Sequence, residues 1–308
     1  MILDILQTII DYSDIESQLN CAQMDSHTYD NIYIRKLICK KFINQKIIEQ
    51  NKYSKLETLE LRVGGDIQSI KHLDNTLKTL RCEWVPDQKA TIDQKVISEI
   101  NNLETLICDS NKNITDVNHL KNTLRVLHCC GLSGINQNGI SQLCKLNSLD
   151  CFNNENIYDV NHMAESLEML NCNGCCRINQ NGIAELRKLK ILNCDRNSHI
   201  CDVNHLSETL EELHCRDACR IDNSGVLKLK KIKKLCCDGN IFLSDVNCLF
   251  DSLEILKCSF KSAVNQLGIM DLKKLKVLEC HGNININNLD TMADTLVSLS
   301  GQPCTYMC

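Results

Sequence analysis

A six-residue phrase, Leu-x-x-Leu-x-Cys, returns at near-fixed intervals through the chain and restricts the fold more sharply than any other feature. It stands at Leu103-Leu106-Cys108, Leu124-Leu127-Cys129, Leu146-Leu149-Cys151, Leu167-Leu170-Cys172, Leu189-Leu192-Cys194 and Leu210-Leu213-Cys215. Ile232-Leu235-Cys237, Leu253-Leu256-Cys258 and Leu275-Leu278-Cys280 continue it. Leu56-Leu59-Leu61 and Leu77-Leu80-Cys82 precede the series, and Leu296-Leu299 opens a last copy. The alternation inside the phrase predicts a strand that buries its first, fourth and sixth residues and exposes those between. One such strand leaves its apolar face uncovered. The copies must therefore stack, which predicts a curved parallel sheet with strands about 4.8 Å apart.

From Leu103 onward the openings are alternately 21 and 22 residues apart, so the true unit is a pair of 43 residues. The first member carries Asn at the ninth position each time: Asn111, Asn154, Asn197, Asn240 and Asn283. An amide there is placed to turn inward and bond backbone groups of the bend that leaves the strand. The second member has Ser133, Cys176, Cys219 and Ser262 one residue later instead. Further on, Ile114-Val117-Leu120 and Ile135-Ile140-Leu143 space their apolar residues for a short helical turn. The phrase and its period resemble the leucine-rich repeat. The resemblance implies an α/β solenoid of about 12 repeats over 51–308, with a curved parallel sheet and short helical turns on its convex side.

Twenty-two cysteines call for a reason. Ten of them (Cys82, Cys108, Cys129, Cys151, Cys172, Cys194, Cys215, Cys237, Cys258 and Cys280) hold the sixth position, where a thiol acts as a small buried hydrophobe. Side chains stacked in parallel rarely offer the disulfide dihedral. Asp4 and Asp11 interrupt the N-terminal apolar residues and the first basic residue is Arg35, so no signal peptide is expected. No apolar run is long enough to span a membrane. These features predict an intracellular, cytoplasmic and reduced protein. A net charge of −5 gives no general attraction to nucleic acid or membrane. The richness in Asn and Ile reads as a compositional bias, such as that of an AT-rich genome.

Residues 1–50 lack the phrase. Apolar residues at Ile2, Ile5, Leu6, Ile9 and Ile10 fall on one helical face, and Ser13 or Asp14 is placed to cap a second helix with Ile15, Leu19 and Ala22. Asp4-Ile5-Leu6, Ile9-Ile10, Tyr12, Leu19, Ala22, Met24, Ser26 and Tyr29 follow the order and spacing of an F-box. Met1 and Ile2 replace the Leu-Pro that opens that pattern. The resemblance implies a small N-terminal helical module docking a Skp-type adaptor protein through Ile2, Ile5, Leu6, Ile9, Ile10 and Tyr12. The alternative is a helical cap over the open edge of the first repeat. Residues 35–55 read as one amphipathic helix with a lysine-bearing face. An excursion at Glu83–Ala90 holds the single Trp, Trp84, which is expected either on a contact-bearing loop or tucked against the N-terminal helices.

Reactive side chains point to no chemistry of their own. Cys172-x-x-Cys175 has no second ligand pair of matching spacing, so no metal site and no cofactor are expected. His72, His119, His162 and His205 recur through duplication at one position. There is no Gly-rich phosphate loop and no Gly-x-Ser-x-Gly, so the chain is not expected to be an enzyme. Third and fifth residues of each phrase line the exposed inner face. A mix of apolar and polar groups there, with Arg81, His128, Met169, Ile191, His214, Lys234 and Lys257 as candidate contacts, suits an unknown target protein better than a phosphate backbone. Residues 228–276 hold ten lysines against five acids, a surplus of +5.

The F-box resemblance with these repeats implies a substrate-recruiting subunit of a cullin-type (SCF-type) ubiquitin ligase, whose catalytic steps belong to partners. Two other readings stay open: a stand-alone repeat scaffold or regulator, and an enzyme inhibitor similar to the ribonuclease inhibitors. The F-box-like start, the Cys-bearing repeats and the Asn/Ile-rich composition together resemble F-box and repeat proteins of giant DNA viruses, which implies a host-cell cytoplasmic setting.

Overall fold

Leu, Ile and Cys at the phrase positions make strands because each strand is buried on one side by the same residues of its neighbours. The computed structural model describes residues 33–62, 64–84, 92–289 and 296–300 of the chain. The chain divides into two compact units, Met1–Leu146 and Asn147–Cys308.

In the first unit β1 (Lys36–Cys39), β3 (Thr58–Leu61), β5 (Thr79–Arg81), β6 (Thr105–Ile107) and β7 (Val126–His128) pair in parallel in that order. A short second pairing joins β2 (Ile43–Asn44) to β4 (Gly65–Asp66). The register sets leucine on leucine, Leu59 beside Leu80 and Leu106 beside Leu127. In the second unit β8 (Ser148–Asp150), β9 (Met169–Asn171), β10 (Ile191–Asn193) and β11 (Glu212–His214) pair in parallel and in sequence. The series continues with β12 (Lys234–Cys236), β13 (Ile255–Lys257), β14 (Val277–Glu279) and β15 (Ser298–Ser300). Phrase residues one, four and six are buried from Leu56 to Cys280, whereas the third and fifth are almost all half-buried or exposed.

The helix expected across 35–55 is not there. Ile34, Leu37 and Cys39 repeat the phrase with Leu37 beside Leu59, so β1 is one rung more than the sequence reading counted, and repeat structure begins upstream of residue 51. The lysines around β1 masked the phrase by imitating an amphipathic helix. Only the single turn α1 (Gln45–Ile48) is α-helical in that stretch, capped where Asn44 accepts from the Ile47 N–H at 3.2 Å.

Elsewhere, too, the connections are single turns. α2 (Gln94–Ile97) and α3 (Gln137–Ile140) serve second-type repeats of the first unit, and 3-10 turns at Asn181–Ile183, Ser224–Val226 and Leu267–Ile269 take that place in the second. Gly139, Gly182, Gly225 and Gly268 recur here because the backbone of the preceding repeat passes so near that a Cβ would overlap it. The carbonyl oxygens of Tyr158, Cys201 and Ser244 would lie 2.2 Å from such an atom at Gly182, Gly225 and Gly268. A left-handed residue follows each strand from β6 to β14 as well. It is Gly131, Gly174, Gly239 or Gly282 in some rungs, but Ser110, Asn153, Arg196, Asp217 and Phe260 in others, with φ of 55–60° in those five.

Three ladders of amides hold the turns together. The ninth-position Asn is buried as expected: Asn197 Nδ2 donates to the carbonyls of Cys172 and Ile178 at 3.1 and 3.0 Å, and its Oδ1 accepts from the His199 N–H at 2.9 Å. Asn111, Asn240 and Asn283 make the same pair of donations. A second row, Gln94, Gln180, Asn223 and Gln266, accepts two backbone N–H groups each from the following repeat. In a third row, Asn118, Asn161, Asn204 and Asn247 each accept one N–H and donate to one carbonyl of the next turn. The Asn-rich composition therefore has a physical reason in the fold, which the compositional reading lacked.

Candidate interaction surface

The side chains that face away from the core form a candidate surface in each unit, on β5 to β7 of the first and on β8 to β14 of the second. Its residues are held by strands whose other side is packed, so their backbone positions are fixed before any partner arrives. Arg81 and His128 lie in the first unit: Arg81 Nη2 pairs with Glu83 at 2.7 Å, and His128 is half-buried on β7. Met169, Ile191, His214, Lys234 and Lys257 lie in the second. Cross-strand register puts Met169 beside Ile191 and Ile191 beside Glu212, with Met169 45% exposed.

A charged cluster adjoins that apolar pair. Glu212 accepts from Lys234 Nζ at 2.7 Å and from His214 Nε2 at 2.6 Å. Partial burial pushes the Glu212 carboxyl up, but the bonds from Lys234 and His214 outweigh it and hold the group below the usual carboxylate range. Lys257 pairs with Glu279 at 2.8 Å, which raises the Lys257 ammonium above its usual value. Between the two lysines sits Cys236, a fifth-position residue that is 2% exposed, its thiol pushed up to about 11 by burial. Neither Glu212 as the hub nor Cys236 as a buried thiol on this face was singled out from the sequence; pairing across rungs is the signal that identifies them.

The lysine surplus also changes meaning. Lys230, Lys233, Lys234, Lys257 and Lys276 are paired with Glu208, Glu211, Glu212, Glu279 and Glu254 at 2.6–2.8 Å. Four of those acids lie one rung outside the window, so a count along the sequence sees a positive patch that the fold largely neutralises. Surface pairs of this kind contribute about 0–1 kcal/mol each to stability.

The remaining candidates resolve into structure. The imidazoles of His72, His119 and His205 donate to the carbonyls of Ile48, Ile97 and Ile183 at 3.0–3.2 Å, each tying one turn to the turn before it. Ladder cysteines are buried, and Cys175 of the Cys-x-x-Cys phrase is exposed while Cys172 points into the core. Among the described residues no three His, Cys, Asp or Glu side chains are grouped to hold a metal ion, and no helix is long and apolar enough to cross a membrane. Trp84 is 46% exposed, and its backbone N–H continues the ladder by donating to the Asp109 carbonyl at 3.0 Å. Ile2, Ile5, Leu6, Ile9, Ile10 and Tyr12, the adaptor-facing candidates, lie outside the described residues.

No protein-family model matches the chain, and no curated protein matches it in sequence. Solved structures do. The functional domain of InlJ from Listeria monocytogenes, which includes a cysteine ladder, is similar with a TM-score of 0.54 at 17% identity, over 90% of this chain and 70% of that one. An internalin, InlF, from Listeria monocytogenes strain 4b F2365 gives a TM-score of 0.46 at 18% identity, over 98% and 88% of the two chains. The TLR13 chain of a complex with ssRNA13 gives 0.49 at 16% identity, over 88% and 52%. The parallel sheet, its phrase and the likeness to the InlJ domain together show the fold: a leucine-rich-repeat solenoid.

Proposed function

We propose that this chain is an interaction scaffold that binds a target protein through the exposed sheet face of Asn147–Cys308. The observation that carries the reading is the contrast between buried and exposed phrase positions. From β8 to β14 the fourth and sixth residues are Leu and Cys at every rung, as packing requires. The third runs Ser148, Met169, Ile191, Glu212, Lys234, Ile255 and Val277, a sequence no packing rule demands. An apolar pair, Met169 and Ile191, beside the hydrogen-bonded Glu212 cluster is the composition of a protein contact with a polar rim. Glutamate at both Met169 and Ile191 should leave the fold intact and remove the target from what the chain captures. Capture of one and the same set of proteins by wild type and variant would refute this face as the contact.

The finer reading rests on the F-box resemblance of residues 1–50: the chain recruits substrates to an SCF-type ubiquitin ligase by docking a Skp-type adaptor, in a cytoplasmic and, by the viral resemblance, host-cell setting. A purified adaptor titrated against the purified chain decides it. Micromolar binding that Ile9→Asp abolishes supports the reading, because the aspartate places a charge in an apolar docking face. No binding by wild type at micromolar concentration discards the ligase role and leaves the stand-alone scaffold, regulator or inhibitor.

A further inference from the structure

Five arginines lie in the second unit, and they fall into two sets. Arg187, Arg196 and Arg216 are paired with Glu185, Asp217 and Asp195 at 2.7–3.5 Å. Arg177 and Arg220 are exposed and have no acidic partner among the described residues. Each of these two lines a cleft on the loops that follow the strands. Arg177 shares about 380 Å³ with Tyr158, Asn179 and His199; Arg220 shares about 460 Å³ with Ser198, Asp217, Ala218, Gly239, Ile241 and Phe242. The charge of Asp217 is already taken by Arg196 at 2.8 Å.

The 43-residue period makes the two sites copies of each other. Arg177 and Arg220 each follow directly on the buried cysteine of a second-type turn, Cys176 and Cys219, so they leave the backbone at equivalent points two rungs apart. Two rungs are about 9.6 Å. The same position is Gly134 in the first unit and Ala263 one pair later, so the fold itself asks for no arginine there. Ser198 of one cleft and His199 of the other are neighbours in the chain, which makes the clefts adjacent. Their flanks are apolar and open: Tyr158 is 51% exposed, Ile241 62% and Phe242 45%.

We propose that this loop edge binds an extended acidic peptide, one carboxylate on Arg177 and a second on Arg220, with the residues between them lying on the apolar flanks. A guanidinium receives a carboxylate in a two-bond fork, which makes an unpaired arginine in a cleft a carboxylate site. The spacing selects the peptide. A polyproline-II segment places residues i and i+3 on one face about 9.3 Å apart, matching two rungs, whereas residues i and i+2 of a strand are about 7 Å apart. The ligand class is therefore acid-x-x-acid with proline or aliphatic residues between, on a surface distinct from the sheet face.

The test uses the full chain and fluorescein-labelled peptides read by anisotropy. A Glu-Pro-Pro-Glu peptide should saturate below about 1 mM, an affinity within reach of two such contacts. Arg177→Gln and Arg220→Gln should each weaken it about tenfold, and a Glu-Pro-Glu peptide should bind wild type about as poorly as either variant. The Gln-Pro-Pro-Gln peptide should not bind. Both arginines are exposed, so an unchanged urea midpoint in the variants separates loss of the site from loss of the fold. No saturation by wild type, equal affinity for the neutral peptide, equal affinity for the shorter spacing, or indifference to both substitutions would each overturn the proposal.

Discussion

The two turns of each repeat pair meet one need with different chemistry. In the first-type turn Asn197 reaches 25 and 19 residues back and donates to the carbonyls of Cys172 and Ile178 at 3.1 and 3.0 Å. In the second-type turn Cys176 occupies the matching place and reaches equally far back. It meets Cys151 sulfur to sulfur at 3.6 Å and donates weakly to the Ile157 carbonyl at 3.9 Å. Cys219 likewise lies 3.7 Å from Cys194. At this buried position the first-type turn is held by directional bonds and the second-type turn by filled space, while the Gln180 and Asn204 ladders bond both kinds of turn to their neighbours nearer the surface. The two turns should accordingly fail under different insults.

Raising the pH ionises thiols but not amides, so it bears on the cysteine positions and not on the Asn ladder, and should have the largest effect. Burial pushes the Cys82 thiol up to about 12 and the Cys39 and Cys236 thiols up to about 11, from an ordinary value of 9.0. Above pH 9 the unfolded chain releases protons that the folded chain keeps, so stability falls as pH rises. Below that it is fully present. Each such cysteine costs about 1.4 kcal/mol per pH unit between its unfolded and folded values, and a few together rival the 5–15 kcal/mol that holds a typical domain. Urea midpoints at pH 8, 9, 10 and 11 should drop steeply, and Cys82→Ala should flatten the slope where Asn197→Ala should not. An equal slope in both variants would remove the thiols from the explanation.

Next in size, Asn197→Ala should cost about 3–5 kcal/mol, because it strands two buried carbonyls and one N–H. Cys219→Ala, losing only packing and a weak sulfur contact, should cost about 1 kcal/mol. Equal losses in urea unfolding would erase the distinction between the turns. Smallest is the left-handed position after the strand. Phe260 adopts φ of 60° while 68% exposed, whereas Gly239 takes the same place at no steric cost. Phe260→Gly should raise stability by up to about 1 kcal/mol, relief of backbone strain slightly exceeding lost contacts; a drop would mean the ring packs usefully.

Most of the fold was legible because the buried side of a solenoid writes a period into the sequence. Leu192, Cys194 and Asn197 each recur 43 residues on as Leu235, Cys237 and Asn240, and the structure places them as that recurrence required. The Gln180 and Asn204 ladders recur with the same period as Asn223 and Asn247, but polar residues on turns look like ordinary solvated surface until their partners are seen. β1 stayed hidden because Arg35, Lys36, Lys40 and Lys41 surround its phrase. The surface was harder to read. Lys234 and Lys257 appeared free because Glu212 and Glu279 are 22 residues away in sequence and adjacent only across strands.

Central to the account is the direction each thiol faces, and alkylation of the native, reduced chain measures it residue by residue. The thiolate is the reacting form, so burial and a raised pKa act together to protect. At pH 8 Cys144, Cys175 and Cys201, all exposed, should label rapidly. Cys130 and Cys248, half-buried, should follow slowly, and Cys108, Cys129, Cys172, Cys194, Cys215 and Cys258 only once the chain is unfolded. Native labelling of the ladder cysteines at the rate of Cys175 would mean that the phrase faces the other way, and with it would fall both the core and the exposed surface described above.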